Sequence, residues 1–478
     1  MKNQPTKNEM IKVLIADDSE YLRKSISTIL SNDQSIKIVD YAKNGKEAVN
    51  LVKQHHPDVL ILDLIMPEMN GLDAFKQIMD LNPTPTIILS AINPQNMDTS
   101  IQALLMGAFD YVIKPGGLGA KNLPKFKEEL LTKVLLASQS QIKRIFEKEH
   151  DLYKRPYIRQ EIVSETFKFG QYINKLEPIQ EIEDTKVIIS IDTNSPKEPL
   201  AAELEPVKED IVLKKEAMKS NIEQINVKVE PIKQTEIIIK SHTKDIKEHV
   251  KSINYDSRSE IRLKPKKGKI FDRVDLSPVK GVRISTNLVV IGASVGGPRT
   301  LKTVLMNIPA DVSCPILVVQ HLSEPFVNSF ISNLNDVCKI KIKVGVDGEY
   351  IQPGMVYFAP GGEHMNISVK NNQPCLKIYK GEPVHFCIPS IDILFFSASK
   401  IYRNRTLGIL LTGMGEDGVD GLETIKIVGG KTIAESEETA VLYGMPKFAV
   451  QRNIADYVLP NYKIKDYIIE FSKNRKLK

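Results

Sequence analysis

Leu288-Val-Val-Ile-Gly-Ala-Ser-Val-Gly-Gly-Pro298 places a serine between a short apolar run and the start of a helical pattern. Leu288 to Ile291 has the composition of a strand buried on both faces. Gly292 and Gly296 stand two residues to either side of Ser294, the spacing of a nucleophile elbow between strand and helix. Glycine lets the chain turn sharply there and lets other backbone approach the hydroxyl. A helix that begins at such a turn offers N–H groups without intrahelical partners, and these hold a developing negative charge. The segment points to an α/β sheet carrying Ser294 as the nucleophile of an acyl-transfer hydrolase.

Working outward toward the C-terminus, the same grammar repeats. Cys314 to Val319 reads as a strand ending in Gln320-His321, and helical spacing follows from Pro325 to Leu334. Ile340 to Val344 and Met355 to Phe358 are further strands, the second running into Ala359-Pro-Gly-Gly362. Ile367–Lys370 and Cys375–Tyr379 read as a hairpin, and 389–401 as a helix capped by Ser390. Thr406 to Leu411 is a strand that ends in Thr412-Gly-Met-Gly-Glu-Asp-Gly418, with strands at Lys431–Ala434 and Tyr457–Leu459 beyond it. Ser294, His321 and Asp417 each follow a strand end, so a parallel sheet lines them along one crevice. A serine needs a base, histidine takes its proton near neutral pH, and a carboxylate fixes the histidine's tautomer. Gly413-Met414-Gly415 presents backbone N–H groups to an oxyanion. The order Ser, His, Asp differs from the Ser, Asp/Glu, His of α/β-hydrolases. Spacing alone leaves His364 open as a second base, and Glu416 and Asp420 as second carboxylates.

Toward the N-terminus lies another strand–helix alternation. Lys12–Ala16, Ile36–Tyr41, Val59–Leu62, Thr86–Leu89 and Phe109–Ile113 read as strands of a second doubly wound parallel sheet. Asp17, Asp18, Asp63, Ser90 and Lys114 all follow strand ends and so share a crevice. Crowded carboxylates call for a cation, and oxygen ligands favour Mg²⁺. A lysine and a hydroxyl beside them suit a phosphoryl group on an aspartate.

Between the two sheets the composition changes. Residues 126–270 hold 53 charged side chains in 145 and have no glycine between Gly170 and Gly268, which reads as a long, mostly disordered charged linker. Its basic run Arg262–Lys269 reads as a solvated charge run. Basic and acidic residues number 13 and 14 in residues 1–125, 28 and 25 in 126–270, and 24 and 20 beyond, so no segment is basic enough to argue for nucleic acid. No helix-turn-helix pattern follows the first sheet. A polar N-terminus and the lack of an apolar run of about 18 residues give a cytoplasmic chain without membrane insertion as the expectation. The four cysteines form no C-x-x-C pair, which argues against a disulfide frame or zinc site.

The N-terminal motifs resemble the receiver domain of two-component response regulators. That resemblance implies a flavodoxin-like fold, Asp63 as the phosphorylation site, Asp17, Asp18 and Asp63 around Mg²⁺ with the Ile65 carbonyl, Ser90 and Lys114 on the phosphoryl group, and Tyr111 at the family's switch position. Gly292–Pro298, Gln320-His321, Ala359-Pro-Gly361, Leu411–Gly418 and Gly444-Met-Pro446 resemble the chemotaxis protein-glutamate methylesterase (CheB) family. This implies a Rossmann-like hydrolase domain with Ser294, His321 and Asp417 as catalytic residues, Met414 N–H in the oxyanion hole, and no cofactor in the esterase site. Also implied are methylated chemoreceptors as substrate, with glutamine deamidation beside ester hydrolysis. A chemotaxis histidine kinase is the implied phosphodonor, and the unphosphorylated receiver covers the cleft. The expected domains are a tail at 1–10, the receiver at 11–135, the linker at 136–280 and the methylesterase at 281–475. Val295 stands where the family commonly has threonine, Leu322-Ser323 where it has Met-Pro, and the linker is far longer than usual. The rival reading is a receiver-gated nucleotide-binding or adaptor protein without catalysis; Pro298-Arg-Thr300 in place of a Gly-Lys-Ser/Thr sequence argues against a nucleotide phosphate site.

Overall fold

A computed structural model of the chain describes residues 10–115, 123–153 and 276–473. Most of the stretch read as a linker, residues 154–275, lies outside the described residues.

The N-terminal sheet is built from β1 (Ile11–Ala16), β2 (Ile36–Ala42), β3 (Val59–Asp63), β4 (Thr86–Ser90) and β5 (Asp110–Ile113). All pairings are parallel and the order is β2-β1-β3-β4-β5, the flavodoxin-like arrangement. Strands β3 and β4 are buried throughout, as expected of strands covered by helices on both faces. The helices are α1 (Glu20–Leu30), α2 (Gly45–His55), α3 (Gly71–Leu81), α4 (Pro94–Met106) and α5 (Leu123–Ser138). Ser19, Asn44, Asn70 and Asn93 cap the first four, each side-chain oxygen accepting an N–H of the first turn.

The helical pattern that the sequence continues from about Lys125 to His150 is present as two helices to either side of a short turn. The receiver boundary drawn at 135 lies inside the first, α5, and the second is α6 (Ile142–Tyr153). Ile142 and Ile145 are buried, and these two residues, three apart, seat α6 on the body of the protein. At the other end, Leu276 already accepts a hydrogen bond from Arg403 (2.7 Å), ahead of the expected domain start at 281.

The C-terminal sheet has seven strands. In chain order they are β6 (Leu288–Ala293), β7 (Ile316–Gln320), β8 (Lys341–Val344), β9 (Met355–Phe358), β12 (Thr406–Leu410), β13 (Lys431–Glu435) and β14 (Tyr457–Leu459). Strands β10 (His364–Lys370) and β11 (Gln373–Tyr379) form a separate antiparallel hairpin. The order β14-β13-β12-β6-β7-β9-β8 is parallel throughout and puts β6 at the centre. Alternation along β6 divides the core: Val289 and Ile291 join one apolar cluster, Leu288 and Val290 the other. The helices are α7 (Gly297–Leu305), α8 (Glu324–Val337), α9 (Ile391–Ile401), α10 (Val419–Ile427), α11 (Met445–Gln451) and α12 (Asn461–Lys473). The cluster holding Val289 and Ile291 is continuous with the core of the N-terminal sheet, because α4 packs against α7 and α8.

Candidate functional site

Ser294 leaves β6 at the elbow. Its N–H donates to Thr412 O (3.0 Å), and its carbonyl accepts from Gly297 N (2.8 Å) and from Gln320 Nε2 (2.9 Å). Gly296 turns the chain at φ +75, a conformation strained for any residue with a Cβ. Strand β7 runs beside β6, and His321 N donates to Ala293 O (3.0 Å), which swings the imidazole over the elbow.

The three side chains drawn from separate strand ends meet. His321 Nδ1 lies 3.1 Å from Ser294 Oγ, and His321 Nε2–H donates to Asp417 Oδ2 at 2.9 Å. A proton on Nε2 leaves the Nδ1 lone pair facing the hydroxyl. Asp417 is 2% exposed, and a buried carboxylate needs donors. It has them at the start of α9: Ile391 N (2.7 Å) on Oδ2, with Asp392 N (3.1 Å) and Ser390 Oγ (2.8 Å) on Oδ1. Burial raises its pKa, but His321, the Ile391 N–H and the Ser390 hydroxyl outweigh that and hold it below the usual carboxylate value. For His321, burial lowers the pKa, yet the Asp417 and Cys387 side chains outweigh it and raise it to about 10.

The loop after β12 comes against the serine. A Cβ on Gly413 would lie 2.5 Å from Ser294 Cβ, so only glycine permits this approach. Gly413 N donates to Leu442 O (3.1 Å) and its carbonyl accepts from Met445 N (2.9 Å), which fixes the peptide that presents Met414 N. Beneath it, Glu435 accepts from Thr412 N (2.8 Å) and Thr439 Oγ1 (2.9 Å), and burial pushes its pKa up to about 7. The position with valine in place of threonine has a neighbouring hydroxyl: Thr412 Oγ1 donates to the Val295 carbonyl (2.9 Å).

Of the alternatives left open by spacing, Glu416 is exposed and the other two are engaged elsewhere. His364 is 1% exposed, with Nε2 on Glu382 O (3.0 Å) and Nδ1 accepting from Ser390 N (3.1 Å). Asp420 pairs with Arg452 (2.7 Å). Sequence reasoning did not single out Cys387, whose Sγ lies 3.6 Å from His321 Nδ1, nor Ser390 as a partner of Asp417. A cap signal marked Ser390, but nothing local indicated what it would hold.

The N-terminal crevice gathers its residues too. Asp17, Asp18 and Asp63 offer oxygens all within 4.8 Å of one another. Lys114 Nζ lies 2.9 Å from Asp17 Oδ2 and 2.7 Å from Asp63 Oδ2. Burial raises the Asp63 pKa against the pull of Lys114; burial lowers that of Lys114, but Asp63 and Asp17 outweigh it and leave it raised. Ser90 is buried and its hydroxyl accepts from Ser100 Oγ (2.9 Å). Ile65 N donates to Asp63 Oδ1 (3.2 Å). An all-oxygen set with Asp18 exposed suits a hydrated divalent cation.

Tyr111 joins the two sites. Its ring lies 4.2 Å from that of Phe326, and its hydroxyl pairs with Ser323 Oγ (2.7 Å) and accepts from Ser323 N (3.2 Å). Ser323 is two residues past His321. Asp98 on α4 accepts from Ser329 Oγ (2.9 Å) and Asn333 Nδ2 (2.7 Å) on α8. Gln141, just ahead of α6, donates its N–H to Val441 O (3.0 Å), and α6 adds a bond from Arg144 to the Glu437 carbonyl and Phe146, with Arg299 stacked 4.5 Å over its ring.

Comparison with known proteins finds a CheB methylesterase family match over residues 289–468 and a response regulator receiver domain match over 13–121. The protein-glutamate methylesterase/protein-glutamine glutaminase of Desulfitobacterium hafniense is 31% identical over 99% of this chain and 100% of its own length. That of Methanococcus maripaludis is 30% identical over 97% and 98%. Among solved structures, the Thermotoga maritima CheB methylesterase catalytic domain is 40% identical over 39% of this chain and 99% of its own, with a TM-score of 0.39.

Proposed function

The chain belongs to the CheB methylesterase family, with a receiver domain in front, and from that premise we propose a phosphorylation-activated protein-glutamate methylesterase and protein-glutamine glutaminase acting on chemoreceptors in the cytoplasm. The carrying observation is the Ser294–His321–Asp417 relay, 3.1 and 2.9 Å long. Ser294 Oγ attacks the γ-carbonyl of a receptor glutamyl methyl ester while His321 Nδ1 takes its proton. Met414 N–H holds the oxyanion, a contribution of about 10²–10³ in rate. His321 returns the proton to departing methanol, then draws one from water that attacks the acyl-serine, and glutamate is released. With a glutamine substrate the leaving group is ammonia.

Control comes from the receiver. Asp63 accepts a phosphoryl group from a chemotaxis histidine kinase, and Lys114 and Ser90 contact it. Asp17, Asp18 and Asp63 would hold Mg²⁺, which screens the charge of the phosphoryl group and the carboxylates. Supporting a covered resting state are Tyr111 on Ser323 and α4 on α7 and α8, the helices that follow Ser294 and His321. Among the described residues no helix is long and apolar enough to cross a membrane. The test is methanol release from methylated receptor with and without a small-molecule phosphodonor, for wild type, Ser294→Ala and Asp63→Asn. Loss of release in the first variant and loss of stimulation in the second are expected. Release undiminished in Ser294→Ala, or a chain that binds nucleotide and takes no fluorophosphonate label, rejects the reading.

A further inference from the structure

Of the four cysteines, Cys314 and Cys375 are buried, and Cys338 and Cys387 are partly buried. Burial pushes the thiols of Cys314 and Cys338 up to about 12 and also raises that of Cys375. Cys387, partly exposed like Cys338, stands apart by its neighbour: its Sγ lies 3.6 Å from His321 Nδ1, the nitrogen that faces Ser294 Oγ. Its place is specified by the same frame that holds Asp417. Val384 and Cys387 close a tight turn with two backbone bonds (3.2 and 2.9 Å), and the residues between them, His385 and Phe386, sit at φ +49 and +62. Side-chain-bearing residues adopt that region only when surroundings enforce it. The enforcement is His385 Nε2 against Asp392 Oδ2 (3.2 Å), from a fully buried residue whose own N–H donates to Asp417.

A nucleophile, an imidazole and a carboxylate within hydrogen-bond reach form an activated-nucleophile constellation. Here one His321–Asp417 dyad carries two nucleophiles. A thiolate is a far stronger nucleophile than a serine hydroxyl, and this sulfur lies within reach of the same imidazole nitrogen. The raised pKa of His321, to which Cys387 contributes after Asp417, agrees with that pairing.

We propose that Cys387 is an oxidation site that switches the hydrolase off reversibly: a hydroperoxide converts its thiol to a sulfenic acid, which occupies His321 in place of Ser294. The thiol proton passes to His321 Nδ1, and the thiolate attacks one peroxide oxygen. The S–O bond forms as the O–O bond breaks, and His321 protonates the departing hydroxide to give water. Sulfur gives up two electrons and the peroxide gains them. A small thiol reverses the change: one equivalent displaces water to form a mixed disulfide, and a second releases Cys387.

The proposal rests on the hydrolase reading, so the experiment carries a readout independent of activity. Full-length protein is treated with hydrogen peroxide, with and without dimedone to trap sulfenic acid; methanol release is measured before and after treatment, then again after dithiothreitol. Wild type is expected to lose most of its release and to regain it with dithiothreitol. The dimedone adduct is expected on Cys387 ahead of Cys314, Cys338 and Cys375, and Cys387→Ser keeps its own untreated rate. Equal loss in Cys387→Ser, or no adduct on Cys387, overturns the proposal. A chain inactive before treatment refutes the hydrolase reading instead. The adduct then decides: formed on Cys387 and diminished in His321→Ala, it supports the pair; absent, or unchanged in that variant, it overturns it.

Discussion

His321 serves three neighbours with two nitrogens: Asp417 on Nε2, and Ser294 with Cys387 on Nδ1. A general base works only unprotonated. With its pKa raised to about 10, methanol release should climb as pH rises through neutrality toward that value. Cys387→Ala removes one of the raising groups, so the inflection of kcat/KM against pH should move down; an unmoved inflection would show that the thiol does not act on His321. Asp417→Asn keeps the shape but no longer fixes the tautomer, and kcat should fall by about 10⁴-fold, as such replacements do in serine triads. The Ser294, His321 and Asp417 positions were legible because the first two directly follow apolar strands and the third lies in the glycine-rich motif after β12. Cys387 was not: it lies in a turn without strand or helix periodicity, and its meaning comes from where the turn folds.

At the scale of elements, α9 and α6 carry what the sequence half disclosed. The Ser390 cap was legible, but the N–H groups of Ile391 and Asp392 serve a carboxylate some 25 residues away. Helix α6 falls where the sequence continues a helical pattern to about His150, and its buried Ile142 and Ile145 and its Phe146–Arg299 contact tie it to the body. If the packed arrangement is the resting state, weakening it raises release without a phosphodonor. Tyr111→Phe loses the hydroxyl bonds to Ser323, worth about 0.5–1.5 kcal/mol, and basal release should rise roughly 2- to 12-fold. Phe146→Ala should raise it too, through a lost cation–π contact of about 0.5–2 kcal/mol. Both are read as basal rate beside an unchanged melting temperature; unchanged basal rates would mean that the docked surface does not restrain the enzyme. Serine at 323 matters here, since proline has no N–H to give to Tyr111.

At the scale of the whole molecule, the question is what holds the receiver against the methylesterase domain. If residues 154–275 act as a flexible tether, lengthening it from about 20 to about 120 residues lowers effective concentration roughly 15-fold, or about 1.6 kcal/mol. The Tyr111, Asp98 and α6 contacts are the groups available to offset that cost. Replacing residues 160–270 by a short flexible tether should therefore lower basal release, and equal basal activity in both chains would show that length is immaterial. Chelating divalent cations should abolish stimulation by phosphodonor while leaving basal release intact, a separation that a metal-dependent hydrolytic step would not give. Two parallel α/β sheets and the strand ends where chemistry sits are readable in the order of residues alone, because alternation, capping and glycine placement act between near neighbours. That the Tyr111 hydroxyl meets Ser323, 212 residues away, and that a thiol shares the imidazole with the serine emerge once the chain is folded. Those contacts depend on how finished elements pack, and packing is set by whole surfaces rather than by any local pattern.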